Sequence, residues 1–256
     1  MADGIDLLSL ILEKAGSSEP VSVVRRISGD GESAVNVFWR GEFSPPFEQG
    51  LADSIRERLT ALELKGGIAD LFSLSDKDGN ELQVVLEIVR PKLRLLVFGA
   101  GHVGQAVSLL GAMLGYQVVV IDDRREFLSR RRFSDPRIEL LVHDVEGAAN
   151  AAGVSARTAV IIVTRGHQSD EACLRSVVRS NAFYVGMIGS RRRVTSVYKR
   201  LMSDGFTESE LGRIHAPIGL RIGARTPQEI AVSILAEVID CVNNPKPQQR
   251  GMNDGV

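Results

Sequence analysis

Cysteine is scarce in this 256-residue chain: only Cys173 and Cys241 occur. They form no C-x-x-C pair and lie too far apart for a metal knuckle, so a disulfide-stapled scaffold is excluded and no zinc signature is present. Aromatic residues make up 5%, with a single Trp. Proteins that stack on nucleic-acid bases use more of them, and a formal net charge of -1 gives no general attraction for a polyanion. No nucleic-acid partner is expected. Uncharged runs are short with one exception, residues 95–121, which is long enough to span a bilayer. That run holds five glycines together with His102 and Gln105. A buried strand, a glycine turn and a buried helix account for it without a membrane. The start, Met1-Ala2-Asp3-Gly4-Ile5-Asp6, has neither the basic opening nor the apolar core of a signal peptide. With two scattered cysteines, a cytoplasmic location is expected.

What is present is ordinary globular composition, 44% hydrophobic and 25% charged. Length favours two modest domains. The charge is unevenly shared. Residues 1–94 hold 11 Lys/Arg against 16 Asp/Glu, and residues 95–256 hold 20 against 16. The second half is therefore the one suited to an anionic ligand.

The pattern predicts a small α+β domain over residues 1–92. Helices are expected at 5–15 and 47–63, strands at 21–27 and 33–39, and a hairpin from 71–74 and 82–89 around the turn at 76–80. From 93 to 242 the pattern alternates strand and helix. Strands are expected at 93–98, 117–121, 137–143, 159–164 and 183–188. Helices are expected at 102–114, 126–132, 145–152, 170–179, 195–202 and 226–242. Repeated units of this kind predict an α/β fold, a Rossmann-like parallel sheet covered on both faces. Thr226-Pro227-Gln228-Glu229 is a capping box with proline at the first helical position. Its helix carries Ile230, Ile234, Val238 and Cys241 on one side, which predicts that Cys241 is buried. Residues 243–256, rich in Pro, Gln and Gly, are expected to be a mobile tail.

The richest segment is Gly99-Ala100-Gly101-His102-Val103-Gly104, a G-x-G-x-x-G between a predicted strand and an apolar helix. The next strand ends in Asp122-Asp123, 18 or 19 residues past the third glycine. This is the context of a dinucleotide-binding turn. Gly99 would allow the tight turn, Gly101 would leave room for a pyrophosphate, and Gly104 would let helix and sheet pack. The helix N-terminus would attract the anion. Asp122 would accept the ribose hydroxyls, favouring NAD over NADP unless Arg124 and Arg125 offset its charge. His102 either touches a ligand or faces solvent.

A second loop, Thr164-Arg165-Gly166-His167-Gln168-Ser169-Asp170, follows a predicted strand and falls on the same sheet edge. His167 and Asp170 are the candidate catalytic pair, able to orient a ligand or share a proton. The alternative is helix capping by Asp170 beside an exposed histidine. No third or fourth ligand accompanies them, so no metal site is expected. Gly189-Ser190-Arg191-Arg192-Arg193 lies on that edge too. Ser190 can cap the next helix, while three arginines at its start oppose the helix dipole, a repulsion that a phosphate would relieve. A second basic run holds Arg124, Arg125, Arg130, Arg131 and Arg132. Residues 215–227 form a Pro/Gly-punctuated rim loop. The candidate binding set is Gly99, Gly101, His102, Gly104, Asp122, Thr164, His167, Ser190 and Arg191.

Together, residues 99–104, 164–170, 184–193 and 215–234 resemble the C-terminal Rossmann domain of the XdhC/CoxI proteins, the xanthine dehydrogenase accessory factors. The G-S-R-R-R and H-A-P-I-G-L-x-I-G-A-x-T-P-x-E-I-A-V-S-I strings carry the resemblance, which covers about residues 93–242. It implies a chaperone that binds molybdenum cofactor (molybdopterin) and helps insert it into a molybdenum hydroxylase such as xanthine dehydrogenase. It also implies contact with cofactor-maturation enzymes. Members of that family carry an N-terminal glycine/serine-rich motif with a cysteine. Residues 1–92 contain no such string, so the resemblance assigns nothing to that half. Two other functions are compatible with the residues alone: an NAD(P)-dependent oxidoreductase using His167 as acid/base, and a nucleotide-sensing regulatory module. A homodimer is left open.

Overall fold

The computed structural model describes residues 9, 11, 20–28, 33–47, 49–65, 67–90, 92–144 and 152–244, the side chains of His167 and Gln168 excepted. The chain divides into two compact units, residues 1–91 and 92–256.

The first unit is a five-stranded antiparallel sheet with one helix. Its strands are β1 (Val21–Ser28), β2 (Ser33–Trp39), β3 (Glu42–Ser44), β4 (Ala69–Ser75) and β5 (Glu81–Val89), in the order β3-β2-β1-β5-β4. Alternation is cleanest in β5, where Leu82, Val84, Leu86 and Ile88 are buried and their neighbours are not. Such period-two patterning buries one sheet face. Helix α1 (Gln49–Leu64) sets Ala52, Ile55 and Leu59 into the same core as Phe43, Phe72, Val84 and Leu86. Each fully buried Ile or Leu there contributes about 1.5–3 kcal/mol. The β4–β5 hairpin is tied by Asp76, whose Oδ1 accepts the amides of Asp78 at 2.9 Å and Asn80 at 2.8 Å. Strand β3 is not expected from the sequence. It is three residues long and pairs back on β2 across Arg40 and Gly41, too short to show a pattern. The helix expected at 5–15 lies almost wholly outside the described residues.

The second unit is a six-stranded parallel sheet covered by helices. Its strands are β6 (Arg94–Phe98), β7 (Gln117–Asp122), β8 (Glu139–Val142), β9 (Thr158–Ile162), β10 (Tyr184–Met187) and β11 (Ile214–His215). The order is β11-β10-β9-β6-β7-β8, parallel throughout. The chain runs outward from β6 to β8, then returns beside β6 as β9 and continues the other way. The direction of travel reverses between β6 and β9, and crevices of open α/β sheets form at such switch points. Strands β6, β9 and β10 are almost completely buried, which explains their unbroken apolar runs.

The helices are α2 (His102–Met113), α3 (His167–Val177), α4 (Arg191–Ser203), α5 (Glu208–Gly212) and α6 (Pro227–Asn243). One apolar layer joins α2 and α6 to one sheet face through Val107, Ala112, Ile234, Leu235 and Val238. The opposite layer joins α3 and α4 through Leu174, Val177, Val197 and Leu201. Thr226 and Glu229 form the expected capping box at α6. Thr207 and Glu210 form a second one at α5, from the segment Thr-Glu-Ser-Glu.

Two expectations need correction. The helix predicted at 126–132 is a single 3-10 turn, Arg125–Phe127, followed by irregular turns. Arg132 donates to the Phe127 carbonyl and Arg130 to the Ile138 carbonyl, so side chains take the place of a helical ladder. Phe133 and Ile138 are fully buried there, and burying both draws the segment away from helical geometry. Helix α4 begins at Arg191 rather than at 195 because Ser190 Oγ accepts the Arg193 amide at 3.3 Å. The helix expected at 145–152 and the tail from 245 onward lie outside the described residues, apart from Ala152.

Among the described residues, no helix is long and apolar enough to cross a membrane. The uncharged run 95–121 is strand β6, a glycine turn, helix α2 and most of β7.

Candidate functional site

Strands β6, β9 and β10 end in register, with Phe98 opposite Ile162 and Ile162 opposite Met187. Their three following loops therefore meet at one edge of the sheet. Each loop opens a helix, α2, α3 or α4, whose first amides lack partners inside the helix and carry partial positive charge.

The glycine turn is built as its sequence requires. Gly99 has φ +108° and a side chain there would meet the Val163 carbonyl at 2.6 Å. A side chain on Gly104 would sit 1.8 Å from the Gly99 carbonyl oxygen, inside the backbone of the turn. Gly101 differs: a Cβ there meets nothing within 4 Å. Two glycines allow close packing, while the middle one faces open space at the N-terminus of α2. His102 is exposed at that same N-terminus.

Asp122 occupies the expected place at the end of β7, but its carboxylate is already engaged. Oδ2 accepts the Ala100 amide at 2.7 Å and Arg124 Nη2 at 2.8 Å. Oδ1 accepts Arg124 Nε at 2.8 Å and the Arg124 amide at 3.0 Å. Burial pushes this carboxyl up, yet the Arg124 guanidinium and the two amides prevail and hold it below the usual range. Arg124 also lies over the Phe127 ring, 4.0 Å from its centroid, with Arg132 stacked 4.8 Å from the same ring. The expected acceptor of ribose hydroxyls is thus an anchor for the glycine turn and for Arg124.

Asp170 is the second buried acid on this edge. It is fully buried in the first turn of α3 and does not cap the helix; Gly166 stands at the cap. Its Oδ1 accepts Thr164 Oγ1, from the loop after β9, and its Oδ2 pairs with Arg193 Nη2 from α4. The expectation of simple capping gives way to a bridge between neighbouring loops. A buried acid so placed costs less to keep ionised because the guanidinium offsets its charge. Arg193 Nε is buried and has no hydrogen-bond partner among the described residues. The His167 side chain lies outside the described residues.

The remaining candidates divide by exposure. Ser190 caps α4 with its hydroxyl, and Arg191 and Arg192 are exposed. Arg130 and Arg132 of the other basic run spend their guanidinium groups on backbone carbonyls, while Arg125 and Arg131 are exposed. Among the described residues no group of His, Cys, Asp and Glu is arranged to hold a metal ion. Cys173 is fully buried, and burial, with the nearby Asp170 charge, pushes its thiol well above the ordinary value.

A buried polar cluster, not foreseen from the sequence, lies away from the glycine turn. Glu237 of α6 accepts Tyr184 Oη at 2.7 Å and the Gly219 amide at 2.8 Å through Oε2. Its Oε1 stands 3.3 Å from His215 Nδ1. The His215 ring stacks on Tyr184 with centroids 4.5 Å apart. Burial pulls the imidazolium down, but bonds to Cys241 and Glu237 outweigh it and raise His215 to about 9. The available signal was a glutamate on the apolar side of an otherwise hydrophobic helix.

Comparison with known proteins agrees with this architecture. The model of the XdhC Rossmann domain matches residues 95–238. A protein of Escherichia coli, YqeB, is 33% identical over 166 residues, which is 65% of this chain and 30% of that protein. A protein of Bacillus subtilis described as a probable xanthine dehydrogenase subunit is 32% identical over 60% of this chain and 44% of its own length. The molybdenum cofactor insertion chaperone PaoD of Escherichia coli is 28% identical over 58% of this chain and 40% of its own. The chain spans less than half the length of each of these curated relatives. A solved structure described as a xanthine dehydrogenase from Bacillus halodurans has a TM-score of 0.69 at 21% identity, covering 93% of this chain and 67% of that one, and shows the shared fold. The chain belongs to the family of the XdhC Rossmann domain.

Proposed function

We propose that this chain is an accessory protein of a molybdenum hydroxylase, and that its sheet edge holds molybdenum cofactor or a related pterin or dinucleotide for delivery. The observation that carries the reading is the meeting of three helix N-termini and the Arg193 guanidinium at the β6/β9 switch point. That arrangement suits a phosphate or pyrophosphate. The open space beside Gly101 and the unpartnered Nε of Arg193 fit such a group.

In this reading the amides at the start of α2 bind the phosphate, with His102 at the mouth. Thr164 and Asp170 hold Arg193 in place behind it, and Arg191 adds charge at the rim. The cargo brings the redox-active metal; the chain's own residues bind, orient and shield. The relatives named as a chaperone and as part of a dehydrogenase support this role. Molybdenum hydroxylases and cofactor-maturation enzymes are the proposed partners. The dehydrogenase alternative is weakened because Asp122, its natural ribose acceptor, is occupied by Arg124.

Deleting the gene tests the proposal. The hydroxylase polypeptide should persist while its molybdenum content and activity fall; full loading and full activity would overturn it. Mass spectrometry of the ligand that co-purifies with the native protein should find a pterin or nucleotide phosphate. Gly101→Trp, which fills the open position, should release that ligand.

A further inference from the structure

Cys241 stands in the last turn of α6, partly exposed and packed at the margin of the α2/α6 layer. The spacing of the apolar stripe predicts a buried core thiol. Ile234 and Val238 of that stripe are fully buried, but Cys241 is not. Its Sγ lies 3.8 Å from His215 Nε2. The other ring nitrogen, Nδ1, faces Glu237 Oε1 at 3.3 Å. Glu237 is itself fixed by Tyr184 Oη and the Gly219 amide. The ring cannot swing freely, because it is stacked on Tyr184.

This is the arrangement that activates a nucleophile: a thiol beside an imidazole, and the imidazole oriented by a buried carboxylate. We propose that Cys241, His215 and Glu237 form a thiol-activating triad, and that Cys241 is a site of mixed-disulfide formation with low-molecular-weight disulfides. His215 and Glu237 are positioning residues; the sulfur is the reacting atom. The thiol first gives its proton to water. The sulfur then attacks one sulfur of the disulfide, a new S–S bond forms and the old one breaks. The leaving thiolate takes a proton from water, so one thiol is released for each thiol consumed. The disulfide is the oxidant.

The titratable groups around His215 are Tyr184 of β10 and Glu237 and Cys241 of α6, with Tyr198 of α4 bonded to the adjacent Ile214 carbonyl. The protonated ring, favoured up to about 9, would present an N–H to the sulfur throughout the neutral range. Cys173 provides an internal control, being fully buried beside the Asp170 charge.

The test is the reaction of the folded full-length chain with 4,4′-dithiodipyridine across the range from about pH 5 to 9, with peptide mass spectrometry locating the adduct. A single equivalent should react fast, at Cys241, with a rate near pH 6 about tenfold or more above that of a small model thiol. Cys241→Ser should remove this phase, and His215→Gln should return the rate near pH 6 to that of the model thiol. If His215→Gln fails to fold, the native profile decides alone. A Cys241 rate that climbs with pH like an ordinary thiol, or a fast adduct at Cys173, would overturn the proposal.

Discussion

The parallel-sheet unit neutralises its buried acids in two different ways. At the sheet edge, Asp122 and Asp170 each face an arginine. On the α6 side, Glu237 faces a histidine, a tyrosine hydroxyl and an amide. An arginine holds its charge at every accessible pH and fits a carboxylate with two parallel bonds. A histidine keeps its charge only while protonated. The edge is therefore a fixed electrostatic frame, while the α6 cluster can titrate and can carry chemistry.

The sharpest way to break this contrast is to remove an edge acid. Asp170→Ala leaves Arg193 partly buried beside Thr164 with no counter-charge. A loss of about 3–5 kcal/mol is expected in urea unfolding. A loss below about 1 kcal/mol, the size of an ordinary surface change, would mean that the bridge does not organise the loops.

Next comes the titratable side. His215 is raised from 6.5 to about 9. A group whose folded value is raised contributes stability that is full below its unfolded value and is lost as pH rises through the folded value. Unfolding free energy should thus fall between about pH 6.5 and 9, by up to about 3 kcal/mol. His215→Gln should flatten that slope, whereas Asp170→Ala should leave it in place. The Asp122 carboxyl behaves oppositely. Its value is lowered, so its contribution is present above the ordinary carboxylate range and disappears as pH falls through the folded value.

The glycines separate frame from ligand space. Gly104→Ala drives a Cβ into the Gly99 carbonyl and should cost about 1–3 kcal/mol, as overpacking does. Gly101→Ala meets open space and should change stability by no more than about 0.5 kcal/mol, yet weaken binding of a phosphate ligand measured by calorimetry. An effect is also expected at Arg124. Its side chain is 27% exposed but its partner Asp122 is buried, so Arg124→Ala leaves that carboxylate with backbone amides alone and should cost about 1–3 kcal/mol by thermal unfolding. With Asp122 freed from one partner, the variant should bind NAD better than the parent does. Unchanged NAD affinity would show that Arg124 is not what occupies the acid.

How far each feature was legible follows from how local its cause is. Strands β6, β9 and β10 were readable because residues buried on both sheet faces give unbroken apolar runs. The cap of α6 was readable because Thr226 and Glu229 bond to each other's backbone three residues apart. The false helix at 126–132 came from ordinary helix formers whose arginines bind carbonyls five to eight residues away in the same segment. Strands β3 and β11 were missed because two or three residues carry no period.

The candidate site divides along the same line. The glycine turn needed only its own spacing and the strand before it. The position of Asp122 at the end of its strand was legible, but its engagement was not, because that depends on where the side chain of Arg124 lies. Tyr184 and Glu237 meet across 53 positions of sequence, and Asp170 and Arg193 across 23. No pattern in a single sequence marks such pairs.

Most of the elements, the cap of α6, the parallel sheet and the place of the glycine turn were thus already set by the order of residues. Each follows from backbone preferences and from burial repeated along short stretches. It took the folded chain to settle which acids are spent on arginines, which histidine is held by a glutamate, and which of two cysteines stands beside it. Those outcomes depend on side chains brought together by strand order and helix packing, where charges must be paired once water is removed.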